Sequence, residues 1–301
     1  MQLRNDNSLT TGRDRHHEIY AVIRASLTCQ DVVLALHSQA LLAAGRYCMT
    51  NSNRAAWLEG APAVCPPPSQ VADPWRLVLL GAPGVGKGTQ ADLLRQRLGA
   101  CHLSTGDVFR AARQSASQPS AAIAEAFALM RRGALVPDAT VCEMVRERRR
   151  CLSCSGGFIL DGFPRTLAQA ESLKQLMESD QLSLDAVINY ELPLNEIVER
   201  LSGRRTCEEC KAVYHITGQP SQTAGICDHC GGRLYQREDD RPDAVTVRMD
   251  TYQRSTQPLI EFYENLGLLR RVAATGSPQE ICERTISALE ASRPSPPKPI
   301  G

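Results

Sequence analysis

Three textures of apolar and polar positions follow one another along the chain. From His17 to Ala44, Ile19, Val22, Ile23, Leu27, Val33, Leu34 and Leu41 recur loosely at helical spacing. Pro62, Pro66, Pro67, Pro68 and Pro74 then make a stretch too proline-rich for regular structure. From Trp75 onward, short apolar runs alternate with helical patterns. Arg76-Leu77-Val78-Leu79-Leu80 ends at Gly81 and reads as a buried parallel strand. Phe158-Ile159-Leu160, Ala186-Val187-Ile188 and the run from Leu268 to Val272 read the same way. This alternation predicts a parallel sheet covered by helices. One insert breaks it, Cys207 to about Asp240, rich in Gly, Cys and turn residues. The last stretch, about 291–301, is proline-rich and is expected to be a disordered tail.

Composition narrows the function classes. Thirty-four Lys+Arg stand against thirty-three Asp+Glu, a net charge of +1, so the chain carries no global electrostatic footprint for nucleic acid. No run of 18 apolar residues suggests a membrane span. Of twelve cysteines, four form two Cys-x-x-Cys pairs at metal spacing, which points to a reducing, cytoplasmic setting. The first thirty residues lack a basic region followed by an apolar run, so no secretory signal is expected. Asp6, Asp14 and Glu18 weigh against an organelle presequence. Residues 1–74 therefore read as an N-terminal extension, disordered or loosely helical. A chain starting near Pro74 is expected to fold and keep its activity.

The first chemical motif is Gly81-Ala82-Pro83-Gly84-Val85-Gly86-Lys87-Gly88-Thr89. It follows the first strand and opens a helix running to Leu98. Glycines let backbone N–H groups curl round phosphate oxygens, and the helix N-terminus adds a positive dipole end. Lys87 would reach the β and γ phosphates as a point charge. The general phosphate-loop pattern is not strictly met, because Gly88 stands where Ser or Thr is usual and Thr89 follows it.

That departure, with Pro83, resembles the loop of the nucleoside monophosphate kinases, and further segments fall into line in the same order. Ser104-Thr105-Gly106-Asp107 with Arg110 is similar to that family's first monophosphate-binding segment. Ala134-Leu135-Val136 before Pro137-Asp138 is similar to the second, and Asp161-Gly162-Phe163-Pro164-Arg165 with Gln169 to the third. Gly203-Arg204-Arg205 and Arg237-Glu238-Asp239-Asp240, with Arg248 beyond, resemble the flanks of a mobile lid. The likeness runs from about Arg76 to about Leu289, closest to adenylate kinases of the long-lid, zinc-binding type. It implies an α/β fold: a P-loop NTPase-type parallel sheet flanked by helices, with a helical monophosphate-binding insert at 104–136 and a small zinc lid at 203–240, all within a domain spanning 75–290.

The activity this resemblance implies is transfer of a phosphoryl group from Mg-ATP to AMP, giving two ADP. Such chemistry needs positioning and cations, not a nucleophile. Lys87, Arg165, Arg204, Arg237, Arg248 and Asp161 are the expected catalytic set, with Asp161 orienting hydrated Mg²⁺. Gly84, Val85, Gly86, Lys87, Gly88, Thr89, Arg204, Val213, Tyr214 and Gly276 are expected at ATP. Thr105, Arg110, Ala134, Leu135, Val136, Gly162, Phe163, Pro164, Arg165, Gln169, Arg237 and Arg248 are expected at AMP. Thr105 and Gln169 favour adenine over pyrimidine monophosphates, the rival within the class being a UMP/CMP or GTP-using kinase. Tyr214 sits where the family packs near the ATP adenine, or equally in the lid core. A monomer acting on ATP, AMP and ADP, without nucleic acid or membrane, is the implied setting.

Cys207-Glu208-Glu209-Cys210 and Cys227-Asp228-His229-Cys230 are separated by sixteen residues, within the spacing of a zinc site. Four thiolates fill a tetrahedral shell and leave no open position, so one structural Zn²⁺ is expected. A zinc ribbon serving as a nucleic-acid or protein-binding module competes with this reading, but only Lys211 and Arg233 add local charge. Cys151-Leu152-Ser153-Cys154 has no partner pair and reads as a surface loop, with a second metal or a redox role as the alternative. Cys29, Cys48, Cys65, Cys101, Cys142 and Cys282 read as free thiols. His102, His215 and His229 show no partner constellation.

Overall fold

The computed structural model describes residues 57–58, 73–115 and 121–292. The chain runs β1 (Trp75–Gly81), α1 (Lys87–Leu98), β2 (Cys101–Ser104), α2 (Thr105–Ser115), α3 (Ala121–Arg131) and α4 (Asp138–Glu147). It continues with β3 (Gly157–Asp161), α5 (Leu167–Ser179), β4 (Ala186–Glu191) and α6 (Leu194–Gly203). Three short strands follow, β5 (Arg204–Cys207), β6 (Val213–His215) and β7 (Leu234–Tyr235). The chain then forms α7 (Pro242–Thr251), α8 (Pro258–Asn265), β8 (Leu269–Ala273) and α9 (Pro278–Glu290).

The four apolar runs and Cys101–Ser104 build one parallel sheet in the order β2-β3-β1-β4-β8. Both faces are covered, so the strands carry unbroken apolar runs where a half-exposed strand would alternate. Leu77 to Leu80 and Phe158 to Leu160 are each no more than 2% exposed. Alternate residues of β1 divide between two cores: Val78 and Leu80 join one side, Leu77 and Leu79 the other. The sheet builds outward from β1 in both directions, so the strand order reverses at β1. An open α/β sheet binds its ligands at such a switch point. The loop after β1 opens there. The second sheet, β6-β5-β7, is antiparallel and lies within the cysteine-rich insert. Among the described residues no helix is long and apolar enough to cross a membrane.

Two expectations change at this level. The extension read across residues 1–74 lies outside the described residues except at its end, but Trp57 does not behave as a loose leader. It is fully buried in the core cluster that includes Leu103, Val108 and Phe158. Its indole N–H donates to the Ser104 carbonyl at 3.0 Å. The second change concerns Cys151–Cys154. Cys151 and Leu152 are core residues, 7% and 1% exposed, so this segment is no surface loop. Cys154 Sγ lies 3.4 Å from Cys101 Sγ, and that hydrogen bond pulls the Cys154 thiol down to about 6 against the opposing effect of burial.

Candidate active site

β1 delivers the phosphate loop directly onto α1. Gly84, at φ 84°, carries no side chain because a Cβ there would meet Leu201 Cγ at 2.7 Å. The loop thus lies flat against α6. Gly86, also left-handed at φ 103°, turns the chain into the helix. Lys87 Nζ curls back to donate to the carbonyls of Gly81 at 2.7 Å and Ala82 at 3.0 Å. Burial pushes this ammonium down to about 7. The Asp161 carboxylate works against that shift, while the guanidiniums of Arg165, Arg248 and Arg204 add to it. Four cations and one carboxylate, from four separate parts of the chain, therefore share one field.

Asp161 ends β3. Burial would raise its carboxyl, but the His102 hydrogen bond, the His102 charge and Lys87 outweigh burial and hold it below the ordinary range. His102 Nε2 lies 3.5 Å from Asp161 Oδ2, and its Nδ1 lies 3.2 Å from Asp92 Oδ1. The expectation that His102 has no partner constellation is thereby corrected: strand pairing places it one strand over from Asp161, in register with Ile159.

On the other side of β3 the chain makes Gly162-Phe163-Pro164-Arg165, with a cis bond before Pro164. Thr105 Oγ1 donates to the Gly162 carbonyl at 3.0 Å, and Arg165 Nε donates to the same oxygen at 2.9 Å. Arg110, on α2, pairs with Asp107 one turn before it. Gln169 is buried and its amide is fixed at both ends. Its Oε1 accepts from the Arg165 N–H at 2.8 Å, and its Nε2 donates to Asp138 Oδ1 at 2.7 Å. Asp138 Oδ2 in turn accepts from Thr166 Oγ1 at 2.8 Å. Ala134, Leu135 and Val136 link α3 to the start of α4, where Asp138 stands. Gly133, at φ 79°, allows that link to press on α7, since a Cβ there would come within 2.8 Å of Arg248 Cγ.

The remaining arginines meet two neighbouring carboxylates. Arg237 forks onto Asp239 through Nε and Nη2, both at 3.0 Å. Arg204 forks onto Asp240, whose side chain is fully buried. Arg248 Nη1 reaches both, at 3.0 Å from Asp240 and 3.1 Å from Asp239. Forked, charge-assisted pairs of this kind hold planar groups in fixed orientation. Arg204 sits deep enough that burial, with Arg237 beside it, pushes it down to about 10 despite Asp240.

In the insert, the sulfurs of Cys207, Cys210, Cys227 and Cys230 all lie within 4.8 Å of one another. Cys207 and Cys227 are buried, while Cys210 and Cys230 are exposed. The residue after each second cysteine, Lys211 at φ 64° and Gly231 at φ 74°, is left-handed, so both Cys-x-x-Cys turns close in the same way. Tyr214 hydroxyl lies 3.4 Å from Cys227 Sγ and accepts the Asp228 N–H at 2.9 Å. Tyr214 packs in the lid core with Cys207 and Cys227.

The model of the family described as adenylate kinase matches residues 79–268. The chain belongs to the adenylate kinase family. The adenylate kinase of Caldicellulosiruptor saccharolyticus is 47% identical over 216 residues, covering 72% of this chain and 98% of its own length. That of Thermodesulfovibrio yellowstonii is 45% identical over 215 residues, with 71% and 99% covered. That of Streptomyces coelicolor is 44% identical over 216 residues, with 71% and 98% covered. The protein is thus a nucleoside monophosphate kinase by family, and its parallel sheet with a cysteine-bearing insert is that family's α/β architecture.

Within this adenylate kinase scaffold, several supporting residues carry no motif of their own. Arg200 on α6 donates to the carbonyls of Val85 at 3.3 Å and Ala274 at 2.9 Å. It ties the phosphate loop to the turn holding Gly276. Gln90 Nε2 makes a second tie, to the Pro278 carbonyl at 2.9 Å. Thr256, in a π-helical turn between α7 and α8, donates to the Arg165 carbonyl at 2.9 Å. Val213 is half-exposed on β6, and Arg205 bonds the backbone of Ser202 and Arg204, away from the cationic cluster.

Proposed function

We propose that this protein transfers the terminal phosphoryl group of Mg-ATP to AMP, reversibly, giving two ADP. The clustering of Arg204, Arg237 and Arg248 on Asp239 and Asp240, within the electrostatic reach of Lys87, is the observation that carries the reading. Cations crowded in this way repel one another and lower one another's affinity for protons. A polyphosphate reverses that penalty, most of all where charge builds on the transferring group. No nucleophile is needed, since transfer between two bound nucleotides requires only their alignment.

In this reading the loop N–H groups and Lys87 hold the donor phosphates, and Lys87 exchanges its two carbonyl partners for phosphate oxygens. Arg110 and Arg165 hold the acceptor phosphate. Arg204, Arg237 and Arg248 face the transferring group, with Asp239 and Asp240 keeping their forks aligned until phosphate competes for them. Asp161 suits Mg²⁺: its carboxyl is held ionised at the strand end beside Gly88. The ion would neutralise charge on the donor phosphates. The four sulfurs suit zinc. Zn–S bonds of about 2.3 Å in a tetrahedron set sulfurs roughly 3.8 Å apart, and the observed pairs at 3.4 and 3.5 Å contract little from that.

Acceptor choice follows from Gln169. With Oε1 pinned by Arg165 and Nε2 pinned by Asp138, one amide N–H and one carbonyl lone pair remain in fixed orientation. That donor–acceptor pair matches the adenine edge, and a site built to pair polar groups rejects mismatched bases strongly. Assayed by ADP formation against a panel of monophosphates, AMP is expected to exceed UMP, CMP and GMP in kcat/KM by about a hundredfold or more. A higher kcat/KM for UMP or CMP would make this a pyrimidine monophosphate kinase.

A further inference from the structure

We infer that Trp57 is a positioning residue for the acceptor nucleotide, a part of the monophosphate site supplied from outside the family domain. The inference rests on the acceptor assignment above. The family match begins at residue 79, and Trp57 precedes it by more than twenty positions. Yet Trp57 is the largest side chain in the fully buried set.

The indole N–H and the backbone carbonyl of this residue are both spent on elements that carry the acceptor site. The indole N–H donates to the Ser104 carbonyl at 3.0 Å, at the junction where β2 becomes α2. The next residue is Thr105, bonded to Gly162, and one turn further along α2 is Arg110. The Trp57 carbonyl accepts from Arg148 Nε at 2.7 Å, at the end of α4. The other end of α4 is Asp138, which orients Gln169. Trp57 therefore joins the helix carrying the phosphate-side residues to the helix that fixes the base-side residue. The indole holds the first and the backbone carbonyl of the same residue holds the second, so one buried residue sets their separation.

A merely structural tryptophan would touch donor and acceptor sites alike, or only stability. Trp57→Phe keeps an aromatic ring in the core and removes the N–H donor. In the full-length chain, KM for AMP is expected to rise about three- to tenfold, the range one neutral hydrogen bond supplies. KM for ATP should change less than twofold, while the thermal midpoint falls by about a few degrees because the buried Ser104 carbonyl loses its donor and the smaller ring leaves a gap. Trp57→Ala should show the same split enlarged, together with lowered stability. Equal changes in the two KM values, no change in either, or a fall in thermal midpoint alone would each overturn the inference. The wild-type panel keeps the two ideas separable. If UMP or CMP proves the better acceptor, the AMP reading fails, and the Trp57 split is read on that nucleotide's KM.

Discussion

Lys87→Met is expected to lower kcat by about 10²- to 10³-fold in a protein whose thermal midpoint is unchanged or slightly raised. The expectation follows from how the side chain is held. Its ammonium is buried among three guanidiniums, and burial has already pushed it down to about 7. Removing it relieves repulsion from the guanidiniums, and costs two bonds to the Gly81 and Ala82 carbonyls and the attraction of Asp161. The folded state loses little by this change. The transition state loses much, because a point charge on the donor phosphates acts there in a dry, low-dielectric pocket. Methionine matches the stem in length and keeps the packing. Rate and thermal midpoint measured on the same preparation decide the matter: near-wild-type turnover in a folded variant would dismantle the phosphate-loop assignment.

The parts of this site that show in the sequence are those whose physics is local. A glycine-rich turn after an apolar strand must bend in a particular way, and Gly84 and Gly86 do so with positive φ. Two Cys-x-x-Cys pairs close whatever lies between them, and the four sulfurs meet. The apolar runs of β1, β3 and β4 are legible because strands buried on both faces tolerate no polar alternation. What stays hidden is pairing across long separations with no repeating pattern. Asp138 reads only as part of the second monophosphate-binding segment, and packing of α4 against α5 shows that it orients Gln169 from 31 residues away. Arg200 belongs to no motif, yet it ties two loops. His102 depends on the register of β2 against β3. Trp57 stands next to Leu58 in a polar stretch with no period, so periodicity misses it. An isolated tryptophan in such a stretch is itself the signal, since so large an apolar surface is costly to leave in water.

Cys227→Ser should remove most of the bound metal and lower the thermal midpoint by several degrees or more, while activity falls without vanishing. The core of the insert explains the size of the stability effect. Its buried apolar cluster is Cys207, Tyr214 and Cys227, with Ala212 and Leu234 packed alongside. So little apolar surface is a weak hold on a three-stranded sheet against chain entropy, and metal ligation by the four cysteines would supply the difference. Cys227 is the most consequential ligand to change. It is buried, its Sγ lies 3.5 Å from Cys210 Sγ, and the Tyr214 hydroxyl leans on it at 3.4 Å. Serine offers a poor zinc ligand and leaves a small gap beside Tyr214. The loss then passes to chemistry through Arg204, which opens β5, and through Arg237, two residues past the end of β7. When that sheet frays, both guanidiniums lose their alignment on Asp240 and Asp239, while Lys87 and the phosphate loop stay intact. A rate reduced but measurable is the consequence. A metal acting directly in the reaction predicts the opposite pattern, with activity abolished and the thermal midpoint unmoved. Elemental analysis of the wild type should find about one zinc per chain, with the four thiols protected from alkylation until the metal is chelated. Metal-free protein whose four thiols alkylate freely under reducing conditions would refute the structural-zinc assignment.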